Sequence, residues 1–336
     1  PRAARVASLT GLFRDEPLTL SYYRDAGLHD WVETQRQRGD IDAVVVFSSS
    51  MAQYAQGFAV PVLVDFVDVD SAKWTDYSSA HRWPMSWLYR REGRQLLAYE
   101  RQVAARATQS FFVTEKEVSL FQGLAPECAT LRALGNGVDA EYFSPDSARP
   151  SPFAGDETPV VFTGAMDYWP NVDAVSWFAT DVLPALRSRF PSLRLHVVGR
   201  QPPDSVRALQ GVAVAVTGTV PDVRPYLQHA AAVVAPLRLA RGVQNKVLEA
   251  MAMGRPVVAA APCVEALDVV PGRDLLSAHS AADYADAIGR LLDSPKLASA
   301  IGASAREQVI RHYGWDARLS ALDACLDAAA GPRRAA

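Results

Sequence analysis

Short apolar runs rich in β-branched residues alternate with longer helical patterns along this chain, and that alternation restricts its fold more than any other feature. The runs fall at 43–47, 61–67, 110–113, 160–163, 193–198, 213–217, 232–235 and 256–260. Nearly continuous apolarity in runs this short suits strands buried on both faces. Helical patterns separate them at 28–38, 86–105, 116–122, 172–190, 204–209, 223–229, 243–253 and 281–292, and two more follow at 296–311 and 315–330. Parallel strands need such crossovers, so the pattern predicts an α/β fold built on parallel sheets.

The pattern breaks at 144–159, where SPDSARPSPFAGDETP carries four prolines and no apolar periodicity. That composition reads as a linker. The expected organisation is a first domain over 1–145, a linker over 146–159, a second domain over 160–312 and a terminal helix over 313–330. The second domain holds five or more strand–helix units, the first only about three strands. No glycine-rich strand–helix turn precedes residue 28, and the chain begins Pro1-Arg2-Ala3 without Met. The first domain is therefore expected to lack one or more opening strand–helix units.

Composition excludes several classes. A formal net charge of −3 with scattered basic residues makes nucleic acid a poor partner. The cysteines, Cys128, Cys263 and Cys325, have neither CxxC spacing nor an even count, which argues against a disulfide framework or a zinc site and for a reducing, cytoplasmic setting. The six histidines form no close ligand pair, so no metal is expected. No Walker loop, GxSxG or HExxH occurs.

Several segments carry a resemblance. Residues 135–139 read GNGVD, 161–164 VFTG, 197–200 VVGR and 218–223 GTVPDV, and the stretch 241–258 reads RGVQNKVLEAMAMGRPVV. In this order they resemble the retaining GT-B glycosyltransferases of the group 1, or family 4, type. DFVDVDSAKW at 65–74 and RGVQNKVLEAMAMG at 241–254 look like the exopolysaccharide-associated branch found with bacterial PEP-CTERM/exosortase loci. The resemblance implies two Rossmann-like lobes facing across a cleft, a nucleotide-sugar donor on the second lobe and a hydroxyl acceptor on the first. It implies transfer with retained anomeric configuration and no cofactor. A lipid-linked saccharide at the cytoplasmic face of the inner membrane is the acceptor class it suggests. In that setting the aromatic and basic residues between Trp74 and Arg94 would touch the membrane, or else form the packed face of a helix.

The chemistry fits particular residues. A diphosphate needs cations and free backbone N–H groups, which the first turn of a helix supplies. The helix expected after Gly242 is the candidate, with Asn245 and Lys246 in its opening turns and Arg241 and Arg200 as further cations. Glu249 shares a face with Lys246, and in the resembled family the matching Glu accepts two hydrogen bonds from ribose hydroxyls. The alternative for Lys246 and Glu249 is a solvated helical ion pair. Gly164, Gly199 and Val220 stand at or just after strand ends, where backbone can approach a ligand or simply turn. Asp68, after the strand at 61–67, is the candidate group for positioning or activating the acceptor. With Asp65 and Asp70 it otherwise forms an acidic loop or cap.

Two departures stand out. Many relatives carry Glu eight residues before the second Glu, where this chain has Arg241. Many also carry Arg and Lys shortly after the opening-strand glycine, where this chain reads AMDYWPN at 165–171. Two other readings stay open: a nucleotide-sugar epimerase, which would act without an acceptor, and a nucleotide-binding protein without catalysis.

Overall fold

The computed structural model describes residues 16–238 and 242–330. The described residues divide into two compact units, one of 16–135 and 319–330 and the other of 136–238 and 242–318.

The first unit is a four-stranded sheet in the order β1 (Val44–Phe47), β2 (Val62–Val67), β3 (Gln109–Phe112), β4 (Leu131–Ala133), with every pairing parallel. Helices α1 (Leu18–Tyr22) and α2 (Ala26–Arg38) precede it. Asp25 caps α2 by accepting from Leu28 N at 2.8 Å, and Gly39 closes it at φ 72. Between β2 and β3 run α3 (Asp70–Ala80) and α4 (Met85–Arg106); α5 (Glu115–Leu124) joins β3 to β4. Burial of Phe66, Phe112 and Phe121 forms the centre of the core, Phe66 stacked on Phe112 with ring centroids 5.1 Å apart.

Helix α3 was not expected, because DSAKWTDYSSA is too polar to show a packing stripe. It forms by packing along α4, where Gly93 allows close approach; a Cβ there would lie 2.6 Å from Thr75 Oγ1 and 3.0 Å from Ser71 O. Buried Glu100 of α4 accepts from Ser71 Oγ at 2.5 Å. Burial pushes its pKa up to about 8, opposed by the Ser71 hydrogen bonds. Glu92, equally buried, accepts from Leu18 N, Thr19 N and Thr19 Oγ1 at 2.8–2.9 Å and so caps α1 from a distance.

The second unit is a six-stranded sheet. Its strands are β5 (Thr158–Thr163), β6 (Leu193–Val198), β7 (Val214–Gly218), β8 (Ala232–Ala235), β9 (Val257–Ala260) and β10 (Leu276–Ala278), in spatial order β10-β9-β8-β5-β6-β7, all parallel. The helices are α6 (Trp169–Trp177), α7 (Leu183–Arg189), α8 (Asp204–Arg207), α9 (Arg224–His229), α10 (Asn245–Ala252), α11 (Ala261–Glu265), α12 (Ala281–Asp293) and α13 (Pro295–His312). Helix α14 (Trp315–Ala330) starts in this unit and from Leu319 belongs to the first. The single helix expected at 172–190 is interrupted by a π turn at Phe178–Val182. Pro184 explains the break: it has no N–H to give and would crowd the carbonyl four residues back.

The Pro-rich stretch is tied down, not a free linker. Asp146 N donates to Gln228 Oε1 at 2.9 Å, and His229 Nε2 lies 2.8 Å from Arg149 O. Phe153 packs edge-on against His196 and Tyr226, and the Arg224 guanidinium sits 3.9 Å from the Tyr142 ring centroid. Val138 N also donates to Tyr313 O at 2.7 Å. Residues 136–157 thus pack with the second unit, and the division falls between Gly135 and Asn136, ahead of the expected 145/146. Its later edge falls at Arg318/Leu319, six residues beyond the expected 312. These contacts join positions far apart in sequence, about eighty residues for Asp146–Gln228 and His229–Arg149, out of reach of any local composition signal.

Candidate functional site

The strand order of the second unit creates a particular place. From central β5 the chain winds outward through β6 and β7, then returns to β8 on the other side of β5. The strand order reverses there, and a crevice opens beyond the carboxyl ends of the two central strands. A cavity of about 600 Å³ lies at this point, lined by residues from the ends of β5, β6 and β7 and the start of α10.

Two glycines shape it by close approach. A Cβ on Gly199 would lie 1.7 Å from the Gly164 carbonyl oxygen, so the ends of β5 and β6 can meet only as glycines. Gly164 has φ 155, and a Cβ there would fall 2.8 Å from Asn171 Nδ2 and 2.9 Å from Lys246 Nζ. Its missing side chain is the space those two groups occupy.

Helix α10 brings its first turn to the cavity. Val247, Leu248, Ala250, Met251 and Ala252 are buried, which leaves Asn245, Lys246 and Glu249 on the cavity side. The helix is anchored at its far end, where a Cβ on Gly302 of α13 would lie 2.1 Å from Gly254 O. Lys246 Nζ donates to Asn171 Oδ1 at 2.5 Å and sits 4.2 Å from the Phe162 ring centroid. Lys246 and Glu249 therefore do not form the solvated pair that spacing alone allows. Burial pushes the Lys246 pKa down to about 8, against the opposing pull of Cys263 and Glu249. Burial raises that of Glu249, opposed by the Lys246 charge. Among the described residues no donor is hydrogen-bonded to the Glu249 carboxylate, so both oxygens can accept from a ligand.

Seven residues singled out in the sequence line the cavity: Gly164, Gly199, Arg200, Val220, Asn245, Lys246 and Glu249. Gly242 stands just outside at φ 64, next to the lining residue Val243. Arg241 lies outside the described residues. Arg200 is 64% exposed, and among the described residues its ion-pair partner is Asp167 at 3.9 Å. Asp68 is in the first unit, where Lys73 Nζ donates to it at 2.7 Å and to Asp70 at 3.1 Å. Burial alone would lower the Lys73 pKa; the bonds and charges of Asp68 and Asp70 raise it. Asp65 instead turns to its own backbone, accepting from Val67 N at 2.9 Å.

Sequence reasoning missed other lining residues. Asn136 donates to Asn245 Oδ1 at 3.2 Å, although the NGVD segment had drawn attention to it only as a motif. Thr163 lines the cavity too, and its buried hydroxyl has no hydrogen-bond partner among the described residues. Half-exposed Tyr168 stands at the rim, and buried Asn171 braces Lys246. All three lie in quoted segments, VFTG and AMDYWPN, but nothing local distinguishes them from their neighbours there.

A parallel sheet with a cationic cavity at its topological switch point defines a doubly wound α/β unit of the Rossmann-like kind. Residues 157–294, within the second unit, match the family model described as Glycosyl transferases group 1. A D-inositol 3-phosphate glycosyltransferase of Actinosynnema mirum is 29% identical over 255 residues, 69% of this chain and 60% of that protein. D-inositol 3-phosphate glycosyltransferase 2 of Catenulispora acidiphila is 41% identical over 76 residues, 22% of this chain and 18% of that protein. The chain thus spans 60% and 18% of the length of these curated relatives.

Among solved structures, Anabaena Alr3699/HepE in complex with UDP superposes with a TM-score of 0.66 at 14% identity, covering 89% of this chain and 81% of that one. Sucrose-phosphate synthase from Thermosynechococcus elongatus gives 0.65 at 18% identity, covering 88% and 76%. The fold is that of the GT-B glycosyltransferases: α/β, with parallel sheets in two lobes. Among the described residues no helix is long and apolar enough to cross a membrane.

Proposed function

We propose that this protein transfers a sugar from a nucleoside-diphosphate donor to a hydroxyl acceptor, with retained anomeric configuration, in the synthesis of a bacterial exopolysaccharide or other cell-surface glycan. The observation that carries the reading is the cavity at the β5/β8 switch point, where the first turn of α10, Lys246 and Glu249 converge. The helix N-terminus and Lys246 would hold the diphosphate, with exposed Arg200 as a further cation and Arg241, which lies outside the described residues, as another. Asn245 and the backbone at Gly164, Gly199 and Gly242 would approach the phosphates and sugar, and Val220 would border the base. Glu249 would accept from two vicinal hydroxyls. As the donor bond breaks, negative charge grows on the leaving diphosphate, and a cation already fixed in place stabilises it without reorganisation. UDP-glucose, seen in Anabaena Alr3699/HepE, is the first donor to try, and UDP, seen there too, the first nucleotide.

The test is a thermal-shift screen of nucleotide-sugars, since a ligand that binds only the folded state raises apparent stability. One class of donor is expected to raise the melting temperature, and Glu249→Ala to abolish the rise. A rise left intact by Glu249→Ala removes that residue from the site. No rise with any donor defeats the reading. Asp68 is our candidate for positioning the acceptor. Lys73 Nζ fixes its carboxylate in place at 2.7 Å, and Asp68→Asn should impair transfer while leaving donor binding intact.

The acceptor we propose is a lipid-linked saccharide, reached from a membrane surface. Trp83, Met85 and Trp87, at the turn into α4, are 80%, 39% and 52% exposed. Arg82, Arg90 and Arg94 are exposed alongside, and no acidic residue occurs between Asp76 and Glu92. Aromatics seat at a lipid interface and basic residues add about 1 kcal/mol each near an anionic surface. Cosedimentation with phosphatidylglycerol vesicles is expected to fall about tenfold in a Trp83→Ser/Trp87→Ser double variant, and to weaken with salt. Equal binding by that variant argues against this surface.

A further inference from the structure

We propose that Asn171 is a positioning residue that holds the Lys246 ammonium in place without neutralising it, and thereby sets the pH range in which the cavity binds an anionic ligand. The inference rests on the proposed donor pocket for its ligand, and on the contacts below for the device itself.

Asn171 is 5% exposed, and three bonds fix it. Its backbone N donates to Tyr168 O at 3.0 Å, its Nδ2 donates to Ala165 O at 2.7 Å, and its Oδ1 accepts from Lys246 Nζ at 2.5 Å. The amide orientation follows from chemistry. A backbone carbonyl can only accept and an ammonium can only donate, so only one flip satisfies both neighbours. The ammonium is then held between the amide and the Phe162 ring, 4.2 Å from its centroid, in the space left by Gly164.

The neutral amide has a consequence. A carboxylate at this position would form an ion pair and cancel the charge offered to a ligand. The amide takes one of three N–H groups and leaves the full positive charge. Without a close counter-charge, burial brings the Lys246 pKa down to about 8. Among the described residues the titratable groups acting on it are Glu249, one turn along α10, and Cys263 of α11; both favour the charged form. A lysine lowered this far is charged at neutral pH and loses its proton within the mildly alkaline range. A bound diphosphate would favour the charged form and draw the proton back.

The experiment follows Lys246 by carbon NMR of the lysine Cε in the ligand-free protein, assigned with Lys246→Met, for the wild type, Asn171→Ala and Asn171→Asp. UDP affinity is then measured by calorimetry across the same pH range. Loss of the acceptor in Asn171→Ala should lower the Lys246 midpoint, and the carboxylate of Asn171→Asp should raise it by about one pH unit or more. UDP affinity should fall about tenfold per pH unit above each midpoint, so its alkaline limb moves with the variant. At neutral pH Asn171→Asp should bind UDP at least about tenfold more weakly, since its carboxylate competes with the phosphates. Midpoints identical in all three proteins overturn the proposal, and so does an affinity loss that is flat with pH. Asn171→Asp is nearly isosteric and keeps the test decisive if Asn171→Ala misfolds. Midpoints that move as expected while even the wild type fails to bind UDP support the positioning role and count against the donor reading.

Discussion

Replacement of Lys246 by methionine is expected to weaken UDP binding by about 100-fold while raising the melting temperature of the ligand-free protein at neutral pH. Both effects come from one buried cation. With a diphosphate bound, the ammonium faces an anion in a partly desolvated cavity, and removing one partner of such a pair costs roughly 2–5 kcal/mol. Methionine keeps the length and packing but offers no charge and no donor. In the free protein the same ammonium is a burden, since burial has pushed its pKa down from 10.5 to about 8.

The sign follows from proton counts. Between these two values the unfolded chain binds more protons than the native state, so the native state gains stability as pH rises through that window. Below about 8 the full penalty is present; above the unfolded value it is gone. The advantage of Lys246→Met should therefore be largest at neutral pH and shrink toward zero as pH approaches the unfolded value. Calorimetric titration with UDP and thermal melts over that pH range measure the two halves separately. A variant that binds UDP normally, or one that is less stable at neutral pH, contradicts the account of this lysine.

Gly199→Ala is expected to destabilise the protein by about 3 kcal/mol or more and to abolish ligand binding, the largest stability effect of any single methyl group near the site. The new Cβ would lie 1.7 Å from Gly164 O and 2.7 Å from Gly164 C. These are backbone atoms held on both sides: Gly164 N donates to Val198 O at 3.0 Å, and Met166 N to Arg200 O at 2.8 Å. Relief requires the ends of β5 and β6 to part, which breaks those bonds and opens the cavity floor. Gly123→Ala, in α5, is the control. A Cβ there meets nothing within 4 Å, and alanine improves helix propensity by up to about 1 kcal/mol. Urea unfolding of the two variants should move in opposite directions. A Gly199→Ala protein of wild-type stability would mean that the close approach of β5 and β6 is not as described.

Much of the fold was legible because it is written locally. Short runs dominated by apolar residues, such as 193–198 and 232–235, suit strands buried on both faces, and they became β6 and β8 with those bounds. The terminal helix at 315–330 was equally plain. The three-residue strands β4 and β10 escaped because so few residues carry no period. Helix α3 escaped because its stability comes from α4, not from its own pattern.

The site divides along the same line. Motif order and the glycine before a helical run pointed to α10, so Gly164, Gly199, Arg200, Val220, Asn245, Lys246 and Glu249 could be named from sequence, and they line one cavity. Asn171 could not, since its meaning lies in a lysine 75 positions later. Asn136 meets Asn245 across 109 positions, and although each lies in a quoted motif, neither motif shows that the two side chains meet.

Residue order alone therefore determined most of the strands and helices and which helix would offer its N-terminus, because periodicity, glycine and proline act within a few neighbours. Only the tertiary structure decided that Lys246 would lean on a neutral amide over an aromatic ring, that Thr163 would hold an unpartnered hydroxyl at the cavity wall, and that the proline-rich stretch would pack down. Those outcomes depend on close packing between distant parts of the chain, where a missing methyl group on Gly164 matters as much as the charge beside it.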